Sequence, residues 1–170
     1  MNQLEKVNFI KNHSFNKKAE KTFLLHKSIL TKVLPEADIQ HVGSSAIPNS
    51  ITKGDLDIQV RVDVANFQKA VQELSRIYEL NEGSTRNEFF CSFKDDSVSP
   101  PLGVQLTVIG SELDFFWKFR DVLLMNQQYR EEYDRLKAEF EGKDMDRYRE
   151  AKKFFFERLI ETPEYQMLEK

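Results

Sequence analysis

The 170-residue sequence contains a single cysteine, Cys91, and no apolar run of about 18 residues. One cysteine excludes an intrachain disulfide and any zinc site built from several cysteines, and it is typical of reducing compartments. The missing apolar run excludes a membrane-spanning helix, and the N-terminal "MNQLEKVNFIKNHSF" lacks the apolar centre of a signal peptide. We therefore expect a cytoplasmic protein without a membrane partner.

A strong charge of one sign is also missing, because 25 basic and 28 acidic side chains give a net charge of −3. Proteins that bind long nucleic acids are usually basic, so this composition argues against long DNA or RNA as a partner. The length predicts one domain, 1–170, with a helix-plus-sheet core over 1–110 and C-terminal helices over 111–170. The 14 phenylalanines predict an aromatic core.

Two common catalytic motifs are absent. No GxxxxGK[ST] occurs, which excludes a P-loop, and no GxSxG occurs, which excludes a nucleophile elbow. Cys91 alternates with Phe89 and Phe93, so we expect it to be a buried strand residue rather than a nucleophile. The chemistry of the chain must come from other residues.

Hydrophobic periodicity predicts helices and strands in separate blocks. Apolar residues at helical spacing predict helices over 14–34, 63–77, 111–125, 127–141 and 146–161. Alternation with polar residues predicts strands over 39–43, 55–62, 87–93 and 102–110. This order predicts an α+β fold, in which helices pack on one side of a mixed sheet and a helical C-terminal extension follows.

The clearest strand, "DLDIQVRV", has two aspartates at its start. Asp55 and Asp57 project to the same face, because side chains alternate along a strand. Two such carboxylates are suitable ligands for Mg²⁺ or Mn²⁺, which also bind substrate phosphate oxygens. The structural alternative is a solvent-exposed face on which Lys53 and Arg61 form ion pairs of little energetic value.

A Gly-Ser turn precedes this strand by ten residues. Gly43 allows the backbone to approach a phosphate group, and Ser44 and Ser45 offer N–H and hydroxyl donors. The structural alternative is an ordinary turn that leaves a strand. His41 lies beside this turn, where it either contacts a ligand or forms a structural hydrogen bond. Further candidates for phosphate binding are three basic residues: Lys53, Arg120 and Lys152.

The order of these features resembles the nucleotidyltransferase superfamily related to DNA polymerase β. More specifically, "HVGSSAIPNSITKGDLDIQV" resembles the GrpB family of nucleotidyltransferase-like proteins. The segments "FWKFRDVLLMNQQYREEYDRLKAEF" and "RYREAKKFFFERL" extend that resemblance over nearly the whole chain. It implies a nucleotidyltransferase-type mixed sheet and a Mg²⁺-dependent protein that moves a nucleoside monophosphate from a nucleoside triphosphate to an acceptor. Asp55 and Asp57 would then be the catalytic and metal-binding residues.

One departure from the superfamily concerns its third carboxylate. The strand predicted over 102–110 offers Gln105 and Thr107 there, so Glu88 on another strand is the remaining candidate ligand. The alternative function is therefore a degenerate protein that binds a nucleotide or another phosphate ligand without transfer. An aspartyl-phosphate phosphatase fits less well, because Gln59 stands where its motif needs Thr or Val. A purely structural interaction domain has no residue in its favour.

Overall fold

The computed structural model of the chain describes residues 5–10 and 13–168, and the rest of the predicted 1–170 domain lies outside the described residues. The helices are α1 His13–Val33, α2 Phe67–Ser75, α3 Phe116–Met125, α4 Gln127–Phe140, α5 Met145–Ile160 and α6 Pro163–Gln166. The strands are β1 Asp38–Val42, β2 Leu56–Val62, β3 Glu79–Leu80, β4 Phe90–Asp95 and β5 Leu102–Val108. Within the described ranges, no helix combines the length and the apolar composition that crossing a membrane requires.

The five strands form one mixed sheet in the order β1-β2-β5-β4-β3. β2 and β5 run parallel, and the other neighbours are antiparallel. One face carries apolar side chains such as Ile58, Val60, Val104 and Leu106, which are fully buried under α1 and α2. The α+β prediction is confirmed, including the C-terminal helices beyond the sheet.

The opposite face of the sheet is polar near its centre. Gln59 donates to Thr107 Oγ1 at 2.9 Å and to Asp114 Oδ1 at 2.8 Å, and its own Oε1 accepts from the backbone N–H of Trp117 at 3.0 Å. Arg61 Nε and Nη2 donate to the two oxygens of Asp114 at 2.8 and 2.7 Å. These bonds hold the segment before α3 against the sheet, and α3 begins a second core with α4, α5 and α6.

Several predicted boundaries need correction. α2 covers Phe67–Ser75 rather than 63–77, because Val64–Asn66 form a separate 3-10 turn ahead of it. α3 begins at Phe116 rather than at 111, because the Asp114 carboxylate accepts from Gly110 N at 2.9 Å and holds the preceding residues as turns. β4 begins at Phe90 rather than at 87. Asp55 lies just before β2 instead of inside it. The short β3 and α6 were not predicted, because neither is long enough to show a periodicity.

Candidate functional site

The predicted site lies in a cavity of about 610 Å³ at the end of the sheet where β2 begins. That volume is in the range of small-molecule binding sites. The polar face of the sheet forms one wall, and α3, α4 and α5 form the others. Seven predicted site residues line it: Gly43, Ser44, Lys53, Asp55, Asp57, Arg120 and Lys152.

Asp57 lies at the centre of this arrangement. Its register partners are Val42 in β1 and Gly103 in β5. A Cβ atom placed on Gly43 would be 2.5 Å from Asp57 Oδ2, and one placed on Gly103 would be 3.0 Å from Oδ1. The two glycines therefore leave the space that the carboxylate fills, and any larger residue at Gly43 would displace it.

The Asp57 carboxylate has no hydrogen-bond donor among the described residues, and the same is true of Asp55. Burial and the negative charge of Asp55 raise the pKa of Asp57 to about 6, although the positive charges of Lys152 and Lys53 oppose the shift. A pair of half-buried carboxylates without hydrogen-bond donors fits a hard divalent cation. Among the described residues, no third His, Cys, Asp or Glu completes a metal-binding cluster with the pair.

The Gly-Ser turn adopts the backbone that its sequence predicts. Gly43 has φ 75° and ψ −174°, a conformation that is essentially reserved for glycine. Ser44–Ala46 then form a single 3-10 turn, in which Ala46 N donates to Gly43 O at 3.1 Å. The first N–H groups of such a turn have no carbonyl partner inside it, which leaves them available to an anion.

The basic residues around the cavity differ in how far they are already paired. Lys53 and Lys152 line it without an ion-pair partner among the described residues. Arg120 donates to Gln40 Oε1 at 2.7 Å and to the His41 carbonyl at 3.0 Å, and it pairs with Asp121 at 2.8 Å. Lys53 and Lys152 are therefore better placed than Arg120 to meet a phosphate group.

Ser45 and His41 lie behind the turn instead of in the cavity. His41 Nε2 is 2.9 Å from Ser45 Oγ, its Nδ1 is 2.9 Å from Glu20 Oε2, and its ring stacks on Phe23. Burial lowers the pKa of His41, and the bond to Glu20 opposes this. The prediction of Ser45 as a phosphate-binding side chain needs correction, because its hydroxyl is engaged with His41 on the α1 side of the sheet. Of the two alternatives for His41, the structure shows the structural hydrogen bond.

Glu88 also needs correction as a third metal ligand. In β4 the residue opposite Gly103, and so level with Asp57, is Lys94. Glu88 precedes β4, which begins at Phe90, so it lies beyond the end of that strand opposite to Lys94. It is exposed and does not line the cavity.

The sequence interpretation missed a buried lysine next to the turn. Lys137 in α4 is buried, and its Nζ donates to Ser44 Oγ at 2.9 Å. Burial lowers its pKa to about 7, with Asp134 opposing and Lys152 adding to the shift. Tyr133 and Lys137 are one helical turn apart on the buried face, and a lysine at such a position was the available signal.

An aromatic wall was also not predicted as part of the site. It consists of seven aromatic side chains that line the cavity: Phe9, Phe115, Phe116, Phe119, Tyr133, Tyr148 and Phe156. Arg149 and Lys153 from α5 lie beside it. The cavity therefore combines charged and aromatic side chains, which suits a ligand with a phosphate group and a flat ring.

The mixed sheet, with a Gly-Ser turn ahead of paired aspartates, defines a nucleotidyltransferase-type fold. The solved structure of Cid1 poly(U) polymerase with bound Mg 3′-dATP matches this chain with a TM-score of 0.50 and 11% identity. The match covers 72% of this chain and 40% of the polymerase chain. At that identity the likeness concerns the fold alone.

The chain belongs to the GrpB family, whose model, described as GrpB protein, matches residues 10–162. A UPF0157 protein of Vibrio cholerae serotype O1 is 31% identical over 157 residues, which are 92% of this chain and 83% of the relative. The conserved protein GrpB from Enterococcus faecalis has a TM-score of 0.59 at 20% identity, over 71% of this chain and 76% of that one. The family resemblance predicted from the sequence is confirmed.

Proposed function

We propose that this protein is a divalent-metal-dependent nucleotidyltransferase that moves a nucleoside monophosphate from a nucleoside triphosphate to an acceptor. The observation that carries the proposal is the contact between the Asp57 carboxylate and Gly43. This contact places the two carboxylates of Asp55 and Asp57 beside a turn that exposes backbone N–H groups. Among the described residues, the two carboxylates have no hydrogen-bond donor that would account for this close approach.

In this proposal each residue has a separate task. Asp55 and Asp57 hold Mg²⁺ or Mn²⁺, which would neutralise charge on the phosphate groups when bound. Gly43 and Ser44 bind phosphate oxygens through N–H and hydroxyl groups, and Lys152 adds positive charge. Positioning and charge neutralisation provide most of the rate in phosphoryl transfer.

The aromatic wall gives the nucleotide base a surface on which to stack. Phe115, Phe119 and Phe156 form a continuous series of ring contacts, with centroids 5.1 and 4.5 Å apart. Aromatic stacking tolerates any base, because every base has a π face. The acceptor classes to test are a small molecule, a protein side chain and an RNA end.

A second candidate function is nucleotide or phosphate binding without transfer. The observation in its favour is the missing third carboxylate, because within the described residues nothing completes a cluster with Asp55 and Asp57. A site with two acids still binds a metal–triphosphate complex. It has one ligand fewer with which to activate the attacking oxygen.

Calorimetric titration with each of the four ribonucleoside triphosphates, with and without Mg²⁺, tests both candidates when it is combined with an assay for pyrophosphate release. Metal-dependent binding with release supports transfer, and binding without release supports the second candidate. No binding of any nucleotide contradicts both. Asp57→Asn should abolish metal-dependent binding, whereas Asp63→Asn, at the exposed far end of β2, should not change it.

A further inference from the structure

The side chain of Lys137 is buried below the Gly-Ser turn and has three hydrogen-bond acceptors. Its Nζ donates to Ser44 Oγ at 2.9 Å, to Ser50 Oγ at 3.1 Å and to the Ile51 carbonyl at 2.5 Å. An ammonium group has three N–H donors, so these acceptors use all of them. Lys137 is not among the residues that line the cavity. Its influence on a ligand must therefore pass through a neighbour.

The protonated lysine fixes the direction of the Ser44 hydroxyl. An ammonium group only donates, so Ser44 Oγ accepts from Lys137 and its own O–H must point elsewhere. Ser50 shows the same polarity, because it accepts from Lys137 and donates to Asp134 Oδ1 at 2.9 Å. Ser44 lines the cavity, so an anion bound there can accept the hydrogen bond of its hydroxyl group.

We infer that Lys137 is a positioning residue that makes Ser44 a hydrogen-bond donor to a phosphate group bound in the cavity. The inference rests on the proposed function, since it requires a phosphate beside Gly43 and Ser44. If Lys137 is removed, the Ile51 carbonyl and Ser50 Oγ lose their donor. The Ser44 hydroxyl then turns towards them and away from the cavity.

Three other groups set the charge around Lys137. Asp134 on the same helix has its carboxylate 3.6 Å from Nζ, the Tyr133 ring centroid is 3.8 Å away, and Lys152 on α5 is the nearby cation. Measurements at pH 6.5 keep Lys137 mainly protonated. The charges that shift the pKa of Asp57 are those of Asp55, Lys152 and Lys53, and all three are retained in every variant below.

The test is calorimetric titration with inorganic tripolyphosphate and Mg²⁺, a probe that does not depend on the base. Ser44→Ala and Lys137→Met should each weaken binding about tenfold, the effect of losing one hydrogen bond to a charged group. The double variant should also be weaker by only about tenfold, because both changes remove the same bond. Ser50→Ala, which removes a Lys137 partner outside the cavity, should stay within about twofold of the original protein.

Three results would overturn the inference. The first is that Lys137→Met binds tripolyphosphate as tightly as the original protein does. The second is that the affinity of the double variant falls by the product of the two single effects, about a hundredfold. Both results leave the proposed function intact. The third is that the unaltered protein does not bind tripolyphosphate, in which case both this inference and the proposed function fail. If Lys137→Met does not fold, Lys137→Gln replaces it, because its shorter amide still donates to Ser50 or Ile51 but leaves Ser44 without a donor.

Discussion

Asp57 and Arg61 lie on the same face of β2, yet their surroundings are opposite. Arg61 is bonded twice to Asp114, donates to Asp38 at 2.6 Å and has its guanidinium 4.9 Å from the Trp117 ring centroid. Asp57 has no donor among the described residues, and the charge with the largest effect on its pKa is that of a second carboxylate, Asp55. One end of the strand face is fully paired, and the other is left open.

Within this one strand, Arg61 therefore has a structural role, whereas Asp57 belongs to the proposed site. A buried charge is normally paired, because leaving it unpaired destabilises the fold. Where the protein provides the partner, as for Arg61, the charge holds elements together. Where it provides none, as for Asp57, the proposed divalent cation would be the partner. Gln59, between the two, has every polar atom bonded and belongs to the structural part.

The largest expected effect on stability comes from removing Asp114, the buried partner of Arg61. Asp114→Ala should lower the free energy of unfolding by about 3–5 kcal/mol, because it leaves the Arg61 guanidinium buried with one remaining carboxylate. The side chain of Asp114 is 2% exposed and that of Asp38 is 39% exposed. Urea unfolding measures both, and Asp38→Ala should cost at most about 1 kcal/mol. Equal losses would show that burial does not distinguish the two partners.

The local parts of this arrangement could be predicted from the sequence, because they depend on residues close together in the chain. Alternation along 55–62 placed both aspartates on one face, and the short loop brought them to Gly43. The contacts of Lys137 could not be predicted, since Ser44 is 93 residues away and the bond depends on how α4 packs.

Two errors have a related cause. Alternation predicts which face a side chain occupies but not the direction in which its strand runs, so Glu88 was expected near Asp57 although it lies at the other end of the sheet. His41 and Ser45 are engaged on the α1 side, where Glu20 completes the network. The position of α1 over the sheet is tertiary information that no local pattern contains.

Removing the negative charge of Asp57 should stabilise the protein when no divalent cation is present. The folded pKa of Asp57 is about 6 and its ordinary value is 3.8. Between these values the unfolded chain has already lost a proton that the folded chain retains, so stability falls as pH rises to about 6 and stays lower above it. Asp57→Asn should therefore raise the free energy of unfolding at pH 8 by about 3 kcal/mol.

Urea unfolding in a chelator at pH 4 and pH 8 checks this prediction. The gain from Asp57→Asn should nearly vanish at pH 4, where the carboxyl is protonated in the folded protein. Asp63→Asn, exposed at the far end of β2, should change stability by less than about 0.5 kcal/mol at either pH. If Asp57→Asn is less stable than the original protein at pH 8, the folded protein does stabilise the ionised Asp57 carboxylate, which contradicts the prediction.

The smallest effect on stability is expected from filling the space beside Asp57. Gly43→Ala should cost about 1–2 kcal/mol, because φ 75° strains any side chain. Its Cβ would also lie 2.5 Å from Asp57 Oδ2, so the carboxylate must move and Mn²⁺ binding should weaken. Gly110→Ala is the matched control, with φ 81° but no heavy atom within 4 Å of the added carbon. It should lose similar stability and keep its Mn²⁺ affinity in calorimetric titration, whereas equal losses of affinity would show that strain alone, and not the position of Asp57, weakens the site.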